Sequence, residues 1–100
     1  MDEKRGREVS KAVADMYREY EASVLAGDVE RWIAQWLEDG VQLPPDSPMN
    51  VGRQQIRGWI EGMFEAFQYL EFDIVVAEVE TFGDDASAYG TFTWLSEPRV

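Results

Sequence analysis

The sequence predicts an α+β fold in which helices come first and an antiparallel sheet follows. Apolar residues recur at steps of three and four through the first two thirds of the chain, which is typical of amphipathic helices. From Leu70 onward the period changes to alternation, and Val75, Ala77 and Val79 alternate with acidic residues as in a strand with one wet face. Because the helices cluster before the strands, a layered α+β domain is favoured over a parallel βαβ fold.

Three helices are predicted in the first two thirds of the chain. The first runs over about residues 8–26 and ends at Gly27, because glycine readily adopts the left-handed conformation of a helix cap. Asp28 can cap a second, short helix that runs to about Leu37. The third helix is predicted over about Arg53 to Gln68, immediately after Gly52.

The strands are predicted around two turns. A short strand at residues 41–43 leads into a loop at Pro44-Pro45-Asp46-Ser47-Pro48, since proline lacks a backbone donor and disfavours helix before it. Residues 70–82 and 86–95 are predicted to pair as a long antiparallel hairpin, because the Gly83-Asp84-Asp85 segment between them is typical of a turn.

Composition restricts the chemistry. The 100 residues predict one domain, and they include neither cysteine nor histidine. Disulfides, thiolate metal sites and a Ser-His-Asp triad are therefore excluded, and proton transfer is left to Asp, Glu, Tyr, Lys and water. There is no glycine-rich phosphate loop and no calcium-loop spacing, so neither a cofactor nor a metal is expected.

The charge is strongly acidic. Nine basic and twenty acidic residues give a net charge of −11, and no Lys or Arg lies between Gly58 and Pro98. Such a surface repels nucleic acid and an anionic membrane face, so neither is an expected partner. The charged N-terminus has no apolar segment of a signal peptide, and no apolar run reaches membrane-spanning length. A cytoplasmic location is the expectation.

Several short motifs, in this order and spacing, resemble one superfamily. They are Tyr20-Glu21-Ala22 through Ala26-Gly27-Asp28, Trp36-Leu37-Glu38-Asp39-Gly40-Val41, Gly52-Arg53-Gln54-Gln55-Ile56, and Gly83-Asp84 with Ala88-Tyr89-Gly90. Together they are similar to the nuclear transport factor 2-like superfamily, and within it to SnoaL-like polyketide cyclases and ketosteroid isomerase-related proteins. The likeness covers essentially the whole chain.

The resemblance implies a cone-shaped α+β roll of the cystatin-like kind, with helices packed on a curved, mostly antiparallel sheet. Members of the family usually continue for two further strands, which are absent from this sequence. We therefore expect either a fragment of a longer protein or a sheet completed by a partner, and a homodimer is the favoured partner state.

By the same resemblance, the pocket lies between the first helix, the third helix and the concave sheet face. The residues expected to line it are Tyr17, Tyr20, Trp36, Gln42, Trp59, Met63, Phe67, Tyr89, Phe92 and Trp94. The alternative for each aromatic residue is ordinary core packing.

Ketosteroid isomerases use a carboxylate base with a tyrosine and a protonated aspartic acid in the oxyanion hole. The matching base position falls near Pro44, which cannot transfer a proton, and Asp46 is the nearby carboxylate. Tyr17 is the candidate hydroxyl donor, and Asp73 is a further candidate acid if it points inward. The alternatives are that Asp46 is a turn residue, that Tyr17 is a buried tyrosine whose hydroxyl already has a hydrogen-bond partner, and that Asp73 is a solvated acid.

Three functions are therefore predicted, in order of preference. The first is binding of an apolar or aromatic small molecule with no identified reaction. The second is an isomerase, cyclase or hydratase that uses Asp46 or Asp73 with Tyr17. The third is an assembly module whose aromatic sheet face packs against another copy.

Overall fold

The structure, a computed structural model, describes residues 3–83 and 85–99. It confirms the α+β class, with helices before an antiparallel hairpin. The elements in chain order are α1 Glu3–Ala26, α2 Val29–Ile33, β1 Val41–Gln42, β2 Asn50–Val51, α3 Arg53–Ala66, β3 Phe67–Phe82 and β4 Asp85–Pro98.

The first two helices begin and end at residues with clear physical roles. α1 starts five residues earlier than predicted, through a charged segment in which Glu, Lys and Arg favour a helix despite Gly6. It ends before Gly27, whose φ is 64°. Asp28 caps α2, because its side chain accepts a hydrogen bond of 3.1 Å from the Arg31 amide. The prediction that α2 reaches Leu37 was wrong: the helix ends at Ile33, and turns follow it.

β1 and α3 differ from prediction at their ends, and β2 was not predicted. β1 pairs with β2 in an antiparallel register that sets Val41 opposite Val51, and two-residue strands are too short to show alternation in sequence. The third helix ends at Ala66 rather than Gln68, because Phe67 already has the extended φ and ψ of −134° and 148° and begins β3. β3 and β4 are therefore longer than the predicted strands.

The long hairpin has two different faces. β3 and β4 pair with bulges between Tyr69 and Glu71 and between Val76 and Glu78. Opposite residues of an antiparallel pair share a face. The inner face, which packs on α1, contains the pairs Phe72–Trp94, Ile74–Phe92 and Val76–Gly90. The outer face carries the acidic side chains of Glu71, Asp73, Glu78 and Glu80.

The core lies where the three helices meet the base of the hairpin. Its buried members are Val24, Trp32, Ile33, Ile56, Ile60 and Phe64, of which Trp32 and Ile56 are fully buried. Tyr69 and Phe72 of β3 pack against this cluster from the sheet. No helix within the described residues is both long enough and apolar enough to cross a membrane.

Candidate functional site

A cleft opens between α1, the turn after α2 and the inner face of the hairpin. Its volume is about 260 Å³, slightly below the usual range for small-molecule pockets. The lining residues are all uncharged: Tyr17, Tyr20, Trp36, Phe72, Ile74, Gly90, Thr91 and Phe92.

One wall and the floor of the cleft form a continuous stack of aromatic rings. Tyr20 of α1 stacks on Phe72 of β3, with ring centroids 5.7 Å apart and an interplanar angle of 25°. Phe72 stacks on Phe92 at 5.7 Å and 21°, and Phe92 stacks on Trp94 at 5.5 Å and 25°. These rings present flat apolar surface to whatever enters the cleft.

The opposite wall is Trp36, which α3 holds in place. The Arg53 guanidinium donates two hydrogen bonds to the Trp36 carbonyl oxygen, one of them 2.9 Å long through Nε. The Arg53 amide donates to the Glu38 carbonyl at 2.9 Å, and the Gly52 amide donates to the Gly40 carbonyl at 2.8 Å. The Gly52-Arg53 pair therefore fixes the segment from Trp36 to Gly40 against the N-terminus of α3.

Tyr20 is the lining residue of the cleft whose pKa is shifted. Burial raises the pKa of its phenol, the neighbouring Trp32 side chain lowers it, and the Tyr17 and Tyr69 hydroxyls raise it further. The Trp32 Nε1–H is buried and makes no hydrogen bond of normal geometry within the described residues. Tyr20 is a neutral phenol at pH 7, as any tyrosine with an ordinary pKa is, and the rise in its pKa makes ionisation harder still; it can therefore donate a hydrogen bond but is a poor general base.

Two charged residues of α1 hold the edge of β3 beside the cleft. The Glu21 carboxylate accepts a 2.7 Å hydrogen bond from the Ile74 amide, and Arg18 donates to the Ile74 carbonyl at 2.9 Å. Arg18 and Glu21 also form an ion pair at 3.1 Å. The Glu21 carboxylate is thereby committed to holding β3 and does not line the cleft.

The structure separates the residues predicted to act together in catalysis. Tyr17 lines the cleft, but Asp46 is exposed in the proline loop at a φ of 56°. Asp73 pairs with Thr93 on the outer face of the hairpin and is also exposed, because strand alternation turns it away from α1. Neither carboxylate lines the cleft.

The predicted lining residues fall into three groups. Tyr20, Trp36 and Phe92 line the cleft, and Trp94 extends its ring stack along β4. Trp59 and Met63 pack against the core, Phe67 starts β3, and Gln42 accepts a hydrogen bond from Asn50 in the short hairpin. Tyr89 lies on the outer face, where its hydroxyl donates to Glu78 at 2.9 Å, so its prediction as a lining residue was wrong.

Four lining residues were not predicted: Phe72, Ile74, Gly90 and Thr91. The alternation in the sequence set Val75, Ala77 and Val79 on one apolar face, which is the opposite phase to Phe72 and Ile74. The bulge between Val76 and Glu78 changes the phase, so Val76 and Val79 face inward while Val75 is 65% exposed. Gly90 and Thr91 follow only from the register of β4 on β3, which the bulge after Val76 sets.

Elsewhere in the described residues, the candidate ligand and metal sites are weaker. A wider groove of about 580 Å³ lies between the start of α1 and the far end of β3, but it includes the charged residues Glu3 and Arg7 and contains no aromatic ring. No cluster of three or more acidic or other metal-ligating side chains is present in the described part of the chain.

Comparison with known proteins agrees with this architecture. A family model described as a SnoaL-like domain matches residues 12–99. No curated protein matches the sequence.

Three solved structures share the fold. A ketosteroid isomerase-like protein from Erwinia carotovora atroseptica is 21% identical with a TM-score of 0.63, over 85% of this chain and 72% of that one. ActVI-ORFA from Streptomyces coelicolor is 17% identical with a TM-score of 0.65, over 92% and 76%. A proposed dehydratase of the NTF2-like family from Streptomyces avermitilis is 15% identical with a TM-score of 0.61, over 86% and 75%.

Proposed function

Because the chain belongs to the SnoaL-like domain family, we propose that its cleft binds a small, neutral, largely planar molecule. The observation that carries this proposal is the stack of Tyr20, Phe72 and Phe92 in a cleft without a charged lining residue. Stacked rings favour a flat apolar ligand, and apolar walls with few polar groups are typical of ligand pockets. The similar structures named for isomerase-like and dehydratase proteins support a small-molecule role.

We further propose that Tyr20 donates a hydrogen bond to an oxygen of this ligand. Its phenol is protonated at neutral pH, and burial raises its pKa further above that range. The adjacent Trp32 indole can only donate, so it cannot accept that proton. A carbonyl or ether oxygen fits such a donor, whereas a carboxylate would be repelled by a chain with a net charge of −11.

Three matched probes test the proposal. 1-Tetralone has a fused aromatic frame with one carbonyl, tetralin has a similar frame without oxygen, and 1-naphthoate has an anionic group. Binding would be followed by tryptophan fluorescence and by isothermal calorimetry. We expect 1-tetralone to bind best and 1-naphthoate worst. Failure of all three to bind would contradict the proposed function.

The Tyr20→Phe variant separates the hydrogen bond from the ring stack. It keeps the ring that stacks on Phe72, so tetralin should bind as before, while 1-tetralone should bind about three- to tenfold more weakly because one hydrogen bond is lost. Tyr17→Phe, a second lining tyrosine on α1, is the matched control and should leave both affinities nearly unchanged. Equal losses for both probes would exclude the Tyr20 donor.

The isomerase, cyclase or hydratase alternative is less well supported. It requires a carboxylate near the Tyr17 hydroxyl, and both Asp46 and Asp73 lie outside the cleft. A binding role without that carboxylate chemistry is therefore the better proposal.

We also propose a cytoplasmic location, which is consistent with a chain that has no cysteine.

A further inference from the structure

Trp32 is completely buried behind the candidate cleft. Its exposed fraction is 0%, and its ring contacts the rings of Tyr20 and Trp36, which both line the cleft. Trp32 itself is not a lining residue. A side chain in this place can set the position of a group that touches a ligand without touching the ligand itself.

The Trp32 Nε1–H is a buried donor that lacks a partner. It makes no hydrogen bond of normal geometry within the described residues. Buried polar groups are nearly always hydrogen-bonded in native proteins, because an unpaired donor loses its hydration without compensation. An acceptor for this N–H is therefore expected next to the indole.

The Tyr20 hydroxyl oxygen is the acceptor that the geometry favours. The Tyr20 and Trp32 rings meet edge to face, with centroids 5.7 Å apart and an interplanar angle of 68°. Burial raises the pKa of Tyr20, and the Trp32 side chain opposes that rise, as a hydrogen bond donated to the phenol oxygen does. Both observations favour an indole N–H that lies beside the Tyr20 oxygen.

Gln35 is the competing acceptor. Its Oε1 is the other buried side-chain atom without a partner in the described part of the chain. The Gln35 amide nitrogen donates to Ser23 Oγ at 3.3 Å and to the Arg31 carbonyl at 3.4 Å, and these two bonds determine how the amide is turned. Tyr20 is favoured over Gln35, because the Tyr20 ring packs directly on the indole.

We propose that the Trp32 indole donates a hydrogen bond to the Tyr20 hydroxyl oxygen and so turns the Tyr20 proton into the cleft. A phenol oxygen that accepts this bond still has its own proton to donate. The Tyr20 ring is held in place, because it also stacks on Phe72 with centroids 5.7 Å apart. Trp32 is thus a positioning residue for the Tyr20 donor, and this inference rests on the proposed function of the cleft.

This arrangement predicts which ligands the cleft selects. With its oxygen engaged by Trp32 and its proton directed into the cleft, Tyr20 can donate to a ligand but accepts poorly from one. A flat molecule with a carbonyl oxygen should therefore bind better than one whose only polar group is an N–H. 1-Tetralone and indole represent the two classes, and both are uncharged bicyclic molecules.

NMR of the ligand-free protein tests the hydrogen bond itself. The chain has four tryptophans, so its proton–nitrogen correlation spectrum should contain four indole signals. Replacing Trp32 by benzothienylalanine, which has sulfur in place of the N–H, removes one signal and so identifies it. Tyr20→Phe removes the acceptor oxygen but keeps the ring, so the Trp32 proton should shift upfield while the Trp59 signal stays in place.

Gln35→Leu is the matched variant for the competing acceptor, and it should leave the Trp32 signal unchanged. A shift in Gln35→Leu but not in Tyr20→Phe would assign the N–H to Gln35 and overturn the proposal. An unchanged signal in both variants would also overturn it, because the N–H would then contact a ring face or a water. Near-ultraviolet circular dichroism verifies that each variant keeps its native packing.

The benzothienylalanine replacement at Trp32 also tests the effect on binding. It keeps a bicyclic ring of similar shape and removes the donor, so the Tyr20 hydroxyl is free to turn. The ratio of the 1-tetralone affinity to the indole affinity should then fall about three- to tenfold, whereas a loosened core would weaken both probes together. The same replacement at Trp59, whose ring lies 6.5 Å from Trp32 but outside the cleft lining, should leave the ratio unchanged.

The two proposals can fail separately. If neither probe binds, the proposed function is wrong, and the NMR signals still decide whether Trp32 donates to Tyr20. If 1-tetralone binds but the Trp32 replacement leaves the affinity ratio unchanged, the cleft function stands and Trp32 does not position the Tyr20 donor.

Discussion

Gly90 shows how one residue fixes the geometry of the cleft floor. Gly90 lies in β4 opposite Val76, next to the bulge of β3. A Cβ atom at this position would overlap the Val75 carbonyl oxygen and crowd the Val75 and Val76 backbone. Backbone cannot move aside as a flexible side chain can. The residue is therefore required for the close approach of β3 and β4 beside the bulge, rather than for a turn.

Gly90→Ala should destabilise the protein by about 1–3 kcal/mol, because the added methyl group forces the two strands apart. Gly58→Ala is the matched control. Its Cβ would have no neighbour within 4 Å on the exposed surface of α3, so it should stabilise the protein by about 1 kcal/mol. Urea unfolding followed by circular dichroism measures both. If Gly90→Ala left the free energy of unfolding unchanged, the strands would tolerate a wider separation than we expect.

At the scale of elements, α2 is a five-residue helix held by two ion pairs. Arg31 bonds to Glu19 of α1 through both Nε, at 2.6 Å, and Nη2, at 2.8 Å. Arg57 of α3 bonds to Glu30 through both terminal nitrogens, at 2.6 and 2.7 Å. These bidentate contacts tie α2 to its neighbours on each side, and Trp32 is buried beneath them.

The pH dependence of stability should reflect these pairs. Hydrogen bonding to Arg31 lowers the pKa of Glu19, and hydrogen bonding to Arg57 lowers the pKa of Glu30. A carboxyl with a lowered folded-state pKa stabilises the fold above its unfolded pKa, near 4.5, and that contribution is lost as pH falls through the folded value. The thermal midpoint should therefore decrease below about pH 4.5, and less so at high salt because the pairs are exposed.

The variant Glu19→Gln/Glu30→Gln should remove this part of the pH dependence, so its midpoint curve should be flatter in the acid range. Glu65→Gln changes an exposed glutamate of α3 and serves as the control. Curves of the same slope for the double variant and the control would rule out a contribution from the two pairs.

The whole molecule is elongated by its hairpin. It measures 52 × 27 × 24 Å, and its radius of gyration of 14.8 Å exceeds the value of about 13 Å expected for a compact domain of 100 residues. The buried core lies at the base of the hairpin, against the three helices. The distal part of the hairpin, beyond about Val79, lies beside the start of α1, where none of the described residues 3–14 is buried.

The two halves of the hairpin should therefore differ in the protection of their amides against hydrogen exchange. Amides of β3 near Phe72 should be protected close to the global unfolding free energy, while those from Val79 to Phe82 should exchange through local opening. Mass-spectrometric exchange on peptides from the two halves measures the difference. Uniform protection along β3 would mean that the hairpin and the core unfold as one unit.

The sequence by itself determined the order and kind of the main elements. Helical and alternating periods predicted α1, α3 and the long hairpin, because these periods follow from the geometry of each element. The motifs around Gly27-Asp28 and Gly52-Arg53 predicted the family, and the match over residues 12–99 confirms it. Tyr17, Tyr20, Trp36 and Phe92, which the family resemblance predicts as pocket residues, line the cleft, and their role in binding stays a prediction.

Only the tertiary structure decided which side chains meet. A one-residue shift in strand register exchanges the two faces, so the bulges of β3 determine that Phe92 lies inside and that Tyr89 and Asp73 lie outside. The same is true of Trp36, whose place depends on the Arg53 hydrogen bonds across 17 residues of sequence. Local periods fix helices and strands, whereas contacts between distant residues fix the site, because they depend on how the elements pack.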